Sequence, residues 1–333
     1  MDISIGDQIK AQPFWVLLPL ILGFIVVLKS SLASIKWVYV YFVRPAKDLK
    51  KYGSWALVTG PTDGIGKGLA MELAGNQLNL VLVGRNPEKL KLVSDAIKVR
   101  YSKTQIRNVV VDLAGDLSEG MEQIREAIEG LEIGVLVNCA GVAYPYARFF
   151  HEVDEKLLKD VIKVNVEATN RVTKAVLPGM LRRKRGAIIN IGSGSVTATS
   201  SYPLVSVYAA TKAYIHQLSR NLHVDLKLNG IDVQCQVPML VATKMSKIKK
   251  SSLFTPSPEE YSKASIRWIG YEHTCVPYWP HSIQMTLLRA LPDVVVDWFV
   301  FRYFLDMRKK GQMRDSQKKE NKVISHDHEA KIS

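Results

Sequence analysis

Cysteine is scarce in this chain: three in 333 residues, at Cys139, Cys235 and Cys275. No two stand as C-x-x-C and no histidine cluster has zinc-ligand spacing, which excludes a disulfide framework and a structural zinc site. A reducing compartment is the simpler expectation, and no metal is expected. Acidic residues are also few against basic ones: 31 Asp and Glu oppose 45 Lys and Arg, a net charge of +14. That balance draws the chain toward something anionic, whether nucleic acid, an acidic membrane surface or a phosphate-bearing ligand. No nucleic-acid module and no interleaved stacking platform is recognisable, so nucleic acid is set aside. Internal repeats are lacking too. With 47% apolar and 23% charged residues, and only 21 Gly and 14 Pro, collagen, low complexity and general disorder are excluded. The length suits one large α/β domain with accessories.

What is present begins with a long uncharged run. Residues 11–28 carry no charged side chain, and at a helical rise of roughly 1.5 Å each they span about 27 Å, close to a bilayer's hydrocarbon core. The run reads as a transmembrane helix. A cleaved signal peptide is the weaker reading, because no small-x-small site follows and apolar character resumes at 35–43. Pro13, Pro19 and Gly23 leave room for a kinked or re-entrant course. Asp2, Asp7 and Lys10 precede the run, whereas Lys29, Lys36, Arg44, Lys47, Lys50 and Lys51 follow it, so the bulk of the chain is expected to face the cytosol.

A strand and helix alternation fills the middle. Residues 55–59 are short and apolar, end at glycine, and lead into a helical pattern through Leu69, Ala70 and Leu73. Residues 80–83 read as the second strand, Pro87 opens a helix with Leu90, Val93 and Ile97 on one side, and 109–111 read as the third strand. Ser118 caps a helix through Ile124 and Ile128, and strands at 135–137, 188–191 and 233–237 continue the series. Strands this apolar, without alternation, belong to a parallel sheet covered on both faces. The fold class is therefore α/β, a doubly wound Rossmann-type parallel sheet with an N-terminal transmembrane anchor, and ligands are expected at the carboxyl ends of the strands.

The turn after the first strand carries Gly60, Thr62, Asp63, Gly64, Ile65 and Gly66, with glycines spaced G-x-x-x-G-x-G. Glycine permits a tight turn and close approach, so the following helix presents free amides to a pyrophosphate. The second strand ends Val83-Gly84-Arg85-Asn86, with no carboxylate to bond a ribose 2′-hydroxyl. Arg85 offers a guanidinium fork to a 2′-phosphate instead, which favours NADPH over NADH. Asp112, at the end of the third strand, is placed either to contact the adenine or to cap its own loop.

Reactive groups follow. Of thirteen tyrosines only Tyr208 has a lysine four residues on, at Lys212. On a helix the two share a face, so the cation can lower the phenol's pKa from about 10 toward the range of a general acid. The fifth strand runs into Gly192-Ser193-Gly194-Ser195, whose hydroxyls either bind a carbonyl oxygen or make a turn.

Taken in order over roughly residues 50–245, the turn at 59–66, Asn138-Cys139-Ala140-Gly141, Asn165, the serine loop, and Tyr208 with Lys212 resemble the short-chain dehydrogenase/reductase family. The resemblance implies that Tyr208 is the catalytic acid and that Lys212 tunes it and holds the nicotinamide ribose. It also implies a water-linked proton path at Asn165, a place beside the cofactor for Asn138, and contacts from Val241 and Thr243 to the nicotinamide amide. Three positions depart from the family pattern. Cys139 stands where asparagine is usual, Met239 follows Pro238 where glycine is usual, and the serine is displaced. Ser193 has the family's position after the strand, whereas Ser195 has the usual thirteen-residue separation from Tyr208. Ser193 is chosen, because distance from the strand end fixes geometry.

Beyond these motifs, the N-terminal segment, Arg44-Pro45 and residues 52–56, 60–66, 150–154 and 232–238 resemble one membrane-anchored branch of that family. Its members reduce very-long-chain 3-oxoacyl-CoA in the fatty-acid elongase of the endoplasmic reticulum and are similar to anchored 17β-hydroxysteroid dehydrogenases. The resemblance implies NADPH as cofactor, a long-chain acyl-CoA substrate, the endoplasmic-reticulum membrane, and other elongase subunits as partners. A 17β-hydroxysteroid or other hydrophobic carbonyl reductase is the competing activity, and an inactive nucleotide-binding scaffold is the non-enzymatic alternative. The expected organisation is an anchor at 1–45, a catalytic NADPH-binding domain at 50–245, a substrate-binding, membrane-associated extension at 246–306 and a basic flexible tail at 307–333. Near and within the extension, Lys244, Lys247, Lys249 and Lys250 are placed for CoA phosphates. Tyr278, Trp279, Leu287, Leu288, Trp298, Phe299 and Phe301 are placed for an acyl groove or the bilayer.

Overall fold

The computed structural model describes residues 13–330, with side chains as far as residue 317. Asp2, Asp7, Lys10 and the start of the uncharged run lie outside the described residues. The chain divides into two compact units, Met1–Pro45 and Ala46–Ser333. In the first, helix α1 (Phe14–Val38) continues into a π-helical turn, Tyr39–Val43, and buries none of its residues. The most apolar 18-residue stretch of these 30 residues has a mean hydropathy of 2.3, and the whole is long and apolar enough to cross a membrane. Pro13 caps the helix, and Pro19 and Gly23 lie within it without breaking it. α1 is thus a candidate membrane anchor with a continuous course.

The second unit is a seven-stranded parallel sheet in the order β3-β2-β1-β4-β5-β6-β7. Its strands are β1 (Trp55–Thr59), β2 (Asn79–Gly84), β3 (Ile106–Val110), β4 (Ile133–Asn138), β5 (Gly186–Ile191), β6 (Ile231–Gln236) and β7 (Thr274–Cys275). Every residue of β1, β4 and β5 is buried. Alternate side chains enter different cores: Ala56 and Val58 join Leu80, Leu82 and Val135 on one face, while Trp55 and Leu57 join Val81, Val83 and Leu136 on the other. That two-sided burial is why these strands show no polar alternation. α2 (Gly64–Gly75) and α3 (Pro87–Arg100) cover the first face through Leu69, Leu73, Leu90 and Ile97. α4 (Leu117–Ile128), α5 (Glu155–Ile162) and α6 (Thr169–Arg183) follow in the chain, and Met121, Ile124, Val172 and Val176 cover the second face. The strand order reverses between β1 and β4, which is where an open sheet of this kind forms its crevice.

Some boundaries differ from the sequence reading. β3 begins at Ile106 and stops before Val111, and the two-residue β7 was not foreseen. The cap of α4 is Asp116, whose carboxylate accepts the Ser118 amide at 2.7 Å, so Ser118 is the capped residue rather than the cap. After the short α7 (Gly194–Thr197), the long α8 (Ser206–Lys227) and β6 comes α9 (Pro258–Ile266), which falls in the stretch assigned to a substrate extension. α9 instead packs on the sheet's helical layer: a Cβ at Gly68 of α2 would meet the Ser262 hydroxyl at 2.4 Å. The chain ends in α10 (Trp279–Ala290) and α11 (Asp293–Ala330), so the boundary expected at 306/307 falls inside one helix.

Candidate active site

A cleft of about 490 Å³ opens over the carboxyl ends of the strands. Its nucleotide side is mostly backbone. Gly60 has φ +68°, and a Cβ there would stand 2.8 Å from the Cα of Ala140; at Gly66 a Cβ would lie 2.1 Å from the Gly60 carbonyl oxygen. The turn therefore folds this tightly only with hydrogen at both positions. Asp63 caps α2 by accepting the Gly64 amide at 2.8 Å. Burial works against its carboxylate, but Lys244, paired with it at 2.8 Å, and the Gly64 amide outweigh burial and hold its pKa below the ordinary value. Thr62 and Ile65 also border the cleft, and the amides of Ile65 and Gly66 lie in a helical first turn, where none has an intrahelical acceptor. Arg85 is exposed at the rim, and Asp112, also on the rim, accepts the Ala114 amide at 3.0 Å. The loop-cap reading of Asp112 is thus realised, and its position on the rim leaves the adenine contact open. A glycine cradle, free helix-end amides and an exposed guanidinium fit a phosphorylated dinucleotide.

The floor of the cleft joins β1 to β4. Thr59 Oγ1 accepts the amides of Cys139 and Ala140, each at 3.1 Å. Cys139 borders the cleft, and its thiol is pushed up to about 12 by burial, against the pull of the Lys212 cation. Asn138 does not border the cleft: it is buried below it, donating to Thr173 Oγ1 at 3.0 Å and Asn190 Oδ1 at 2.8 Å. At this strand end the cleft is bordered instead by Cys139, Ala140 and Gly141. Asn165 is likewise buried behind the wall, where its carbonyl accepts the Val142 amide and its amide donates to Val142 O and Thr211 Oγ1.

Tyr208 and Lys212 both border the cleft from α8. The Lys212 ammonium is buried, donates to the Ile191 carbonyl at 2.8 Å, and lies 5.8 Å from the centre of the Tyr208 ring. A strand-end carbonyl therefore fixes the cation beside the phenol. Ser193 and Ser195 border the cleft as well. Ser193 Oγ caps α7 by accepting the Ser195 amide at 3.2 Å, which leaves its own proton free to donate, whereas the buried Ser195 hydroxyl has no partner among the described residues. After β6, Val241 and Thr243 reach the cleft, and Ser246 ties them together by donating to Val241 O at 2.6 Å and receiving the Thr243 amide at 3.1 Å. Met239 packs on Gly194, where a Cβ would meet its sulfur at 2.4 Å. The buried His281 braces this loop, accepting the Met239 amide on Nδ1 at 3.3 Å and donating from Nε2 to the Leu240 carbonyl at 3.1 Å. Burial pulls its pKa down to about 4, consistent with a neutral ring that uses both nitrogens.

Another part of the cleft lining is aromatic and comes from residues that the sequence reading missed. Tyr144, Tyr146, Tyr202, Tyr303, Phe304 and Met307 line it. Tyr202 and Phe304 meet edge to face at 4.8 Å. None of Tyr278, Trp279, Leu287, Leu288, Trp298, Phe299 or Phe301 borders the cleft. On α11 the groove alternative fails by helical phase: the helix turns Val296, Val300, Phe304 and Met307 inward, and Trp298, Phe299 and Phe301 outward. Of the four lysines, Lys244 and Lys247 border the cleft, whereas Lys249 and Lys250 do not.

The chain matches the short chain dehydrogenase family model over residues 54–253. It belongs to that family. A very-long-chain 3-oxoacyl-CoA reductase-like protein of Arabidopsis thaliana is 44% identical over 91% of this chain and 97% of its own length. Two human relatives are a very-long-chain 3-oxoacyl-CoA reductase, 38% identical over 77% of this chain and 80% of its own, and inactive hydroxysteroid dehydrogenase-like protein 1, 39% identical over 75% and 76%. Among solved structures, a short-chain dehydrogenase from Sphingobium yanoikuyae in complex with NADPH superposes with a TM-score of 0.60 at 25% identity, covering 71% of this chain and 92% of that one. This short-chain dehydrogenase is accordingly an oxidoreductase with a nicotinamide-binding cleft.

Proposed function

We propose that this enzyme uses NADPH to reduce very-long-chain 3-oxoacyl-CoA to 3-hydroxyacyl-CoA during fatty-acid elongation, alongside other elongase subunits. It is held by α1 in the endoplasmic-reticulum membrane with the catalytic unit toward the cytosol, in keeping with the basic residues that follow the span. The observation that carries the reading is Tyr208 with Lys212 in a cleft that Tyr202, Phe304 and Met307 also line. The names of the Arabidopsis relative and of the human reductase supply the substrate class. One human relative is named inactive, but here Tyr208 and Lys212 stand in the cleft with Asn165 behind them, chemistry that a scaffold does not need.

Residues of the turn at 60–66 and Arg85 would hold the dinucleotide, which when bound supplies a hydride to the carbonyl carbon. The Tyr208 hydroxyl, with the Lys212 ammonium 5.8 Å from its ring centre, gives a proton to the carbonyl oxygen. Ser193 donates a hydrogen bond to the same oxygen, worth more as negative charge grows there. Asn165, bonded to Thr211 on the Tyr208 helix, holds the wall through which a replacement proton arrives.

Tyr208→Phe keeps the ring and removes the acid; kcat is expected to fall by at least roughly 10² while NADPH binding stays nearly unchanged. Near-normal turnover in that variant sinks the mechanism. Ser193→Ala should impair turnover more than Ser195→Ala, and the reverse order transfers the role to the buried, unpartnered hydroxyl. For the substrate class, NADPH oxidation is followed in membranes offered a long 3-oxoacyl-CoA or a 17-ketosteroid, and preference for the steroid overturns the acyl-CoA reading.

A further inference from the structure

The outward face of α11 has no partner among the described residues that accounts for its composition. Val294, Trp298 and Phe301, spaced four and three apart, are 80%, 56% and 37% exposed, and Val295 and Phe299 widen the stripe. Leu287 and Leu291, near the end of α10, are exposed as well. Asp297 does not interrupt it, because its carboxylate accepts the hydroxyls of Ser200 and Ser201 at 3.1 and 2.6 Å. The exposed acids Asp293 and Asp306 stand toward the two ends of the stripe. A contiguous apolar stripe on a water-facing helix is unfavourable, and it marks a docking surface.

We propose that this face lies on the lipid bilayer as a membrane contact additional to α1. Two observations select lipid over a protein partner. The arginine in the stripe, Arg302, sits 5.7 Å from the centre of the Trp298 ring, an arrangement that lays its stem on apolar surface and leaves the guanidinium for a headgroup. Past the stripe the helix turns basic, with Lys309, Lys310 and Arg314 exposed, so apolar and cationic stretches succeed one another as acyl chains and anionic headgroups do. The anchor candidate α1 also immediately precedes this unit in the chain, and a tether to a membrane holds the bilayer at high effective concentration. Since Phe304 and Met307 on the inner face line the cleft, α11 separates lipid from the reactive groups by one helix. A long acyl chain then passes from bilayer to cleft with little exposure to water. That last step rests on the substrate class proposed above; the docking does not.

The test uses the full chain in vesicles of phosphatidylcholine and phosphatidylserine, with single nitroxide labels at Val294→Cys and Phe301→Cys. Cys235 and Cys275 are buried, and Cys139 is held up to about 12, so the native thiols label poorly at neutral pH. Leu228→Cys, at a position 97% exposed, reports water, and Ile25→Cys reports α1. Labels at 294 and 301 are expected to show an oxygen-to-nickel-chelate collision ratio several-fold above that at 228. A ratio equal to that at 228 overturns the proposal, and lipid-like behaviour at 25 in the same experiment shows that the anchor reading has survived it. Spin–spin broadening at 294 that grows with protein density, without preference for oxygen, assigns the face to a second copy and also overturns it.

Discussion

On the β1–β2 side of the cleft the wall is made by backbone: Gly60 and Gly66 approach Ala140 and each other so closely that no side chain fits between. On the opposite side the wall is made by side chains delivered from distant parts of the chain, Tyr144 from the segment after β4, Tyr202 before α8, and Phe304 and Met307 from α11. The first side is fixed by sterics that permit almost one geometry. The second is assembled by packing, which tolerates exchange of one apolar residue for another at modest cost. A ligand common to a large family suits the first kind of wall, and a variable ligand suits the second.

The sharpest way to break that contrast is Gly66→Ala. Its methyl would meet a carbonyl oxygen rather than a flexible side chain, so the turn must open; NADPH affinity, measured by fluorescence titration, is expected to fall roughly 10²-fold. Unchanged binding would show that the turn is as adaptable as the opposite wall. Next comes Arg85→Ala. Loss of a charge-assisted hydrogen bond, about 1.5–3 kcal/mol, predicts roughly a 30-fold weaker Kd for NADPH and little change for NADH. Equal losses for both cofactors remove Arg85 from the 2′-phosphate. On the other wall, Phe304→Ala is expected to raise KM for a long acyl substrate severalfold and lower Tm, while NADPH titration is unaffected. A parallel loss of NADPH affinity would mean that the two sides do not act separately.

The smallest effect at neutral pH belongs to His281→Gln. The folded-state pKa of His281 is lowered from an ordinary 6.5 to about 4 by burial. As pH falls through 6.5, the unfolded chain takes up a proton that the folded chain refuses until about 4, so stability declines across that window and is unaffected by this group above it. The variant, which keeps a donor and an acceptor but cannot titrate, should match wild type in Tm at pH 7.5 and lose less at pH 5. An equal loss at pH 5 would show that the brace on Met239 and Leu240 is not the acid-sensitive element.

Legibility from sequence follows the same division. The turn at 60–66, Arg85, Tyr208 and Lys212 could be placed because their geometry is local, a strand end followed by a helix or two residues one helical turn apart. Asn138 was misplaced by its neighbours: the strand's pleat points it down to Thr173 and Asn190 and leaves Cys139 at the surface of the cleft. His281 and Tyr202 carried no local signal, because each matters through loops that folding brings to it. For α11, Trp298, Phe299 and Phe301 could be named from the sequence, yet apolar residues circle the helix, and only the position of Tyr202 and Ala147 shows that Phe304 faces in.

The ends of the sheet bear on self-association. β7 offers only two residues of ladder, and β3 at the opposite edge carries exposed Arg107, whose guanidinium donates back to the Ala127 carbonyl and lies 5.7 Å from the Trp55 ring centre. A short edge at one end and a charged edge at the other give an incoming strand little to pair with. Among the described residues, copies of this chain therefore have little opportunity to join by extending their sheets, which leaves helical faces as the surfaces for assembly.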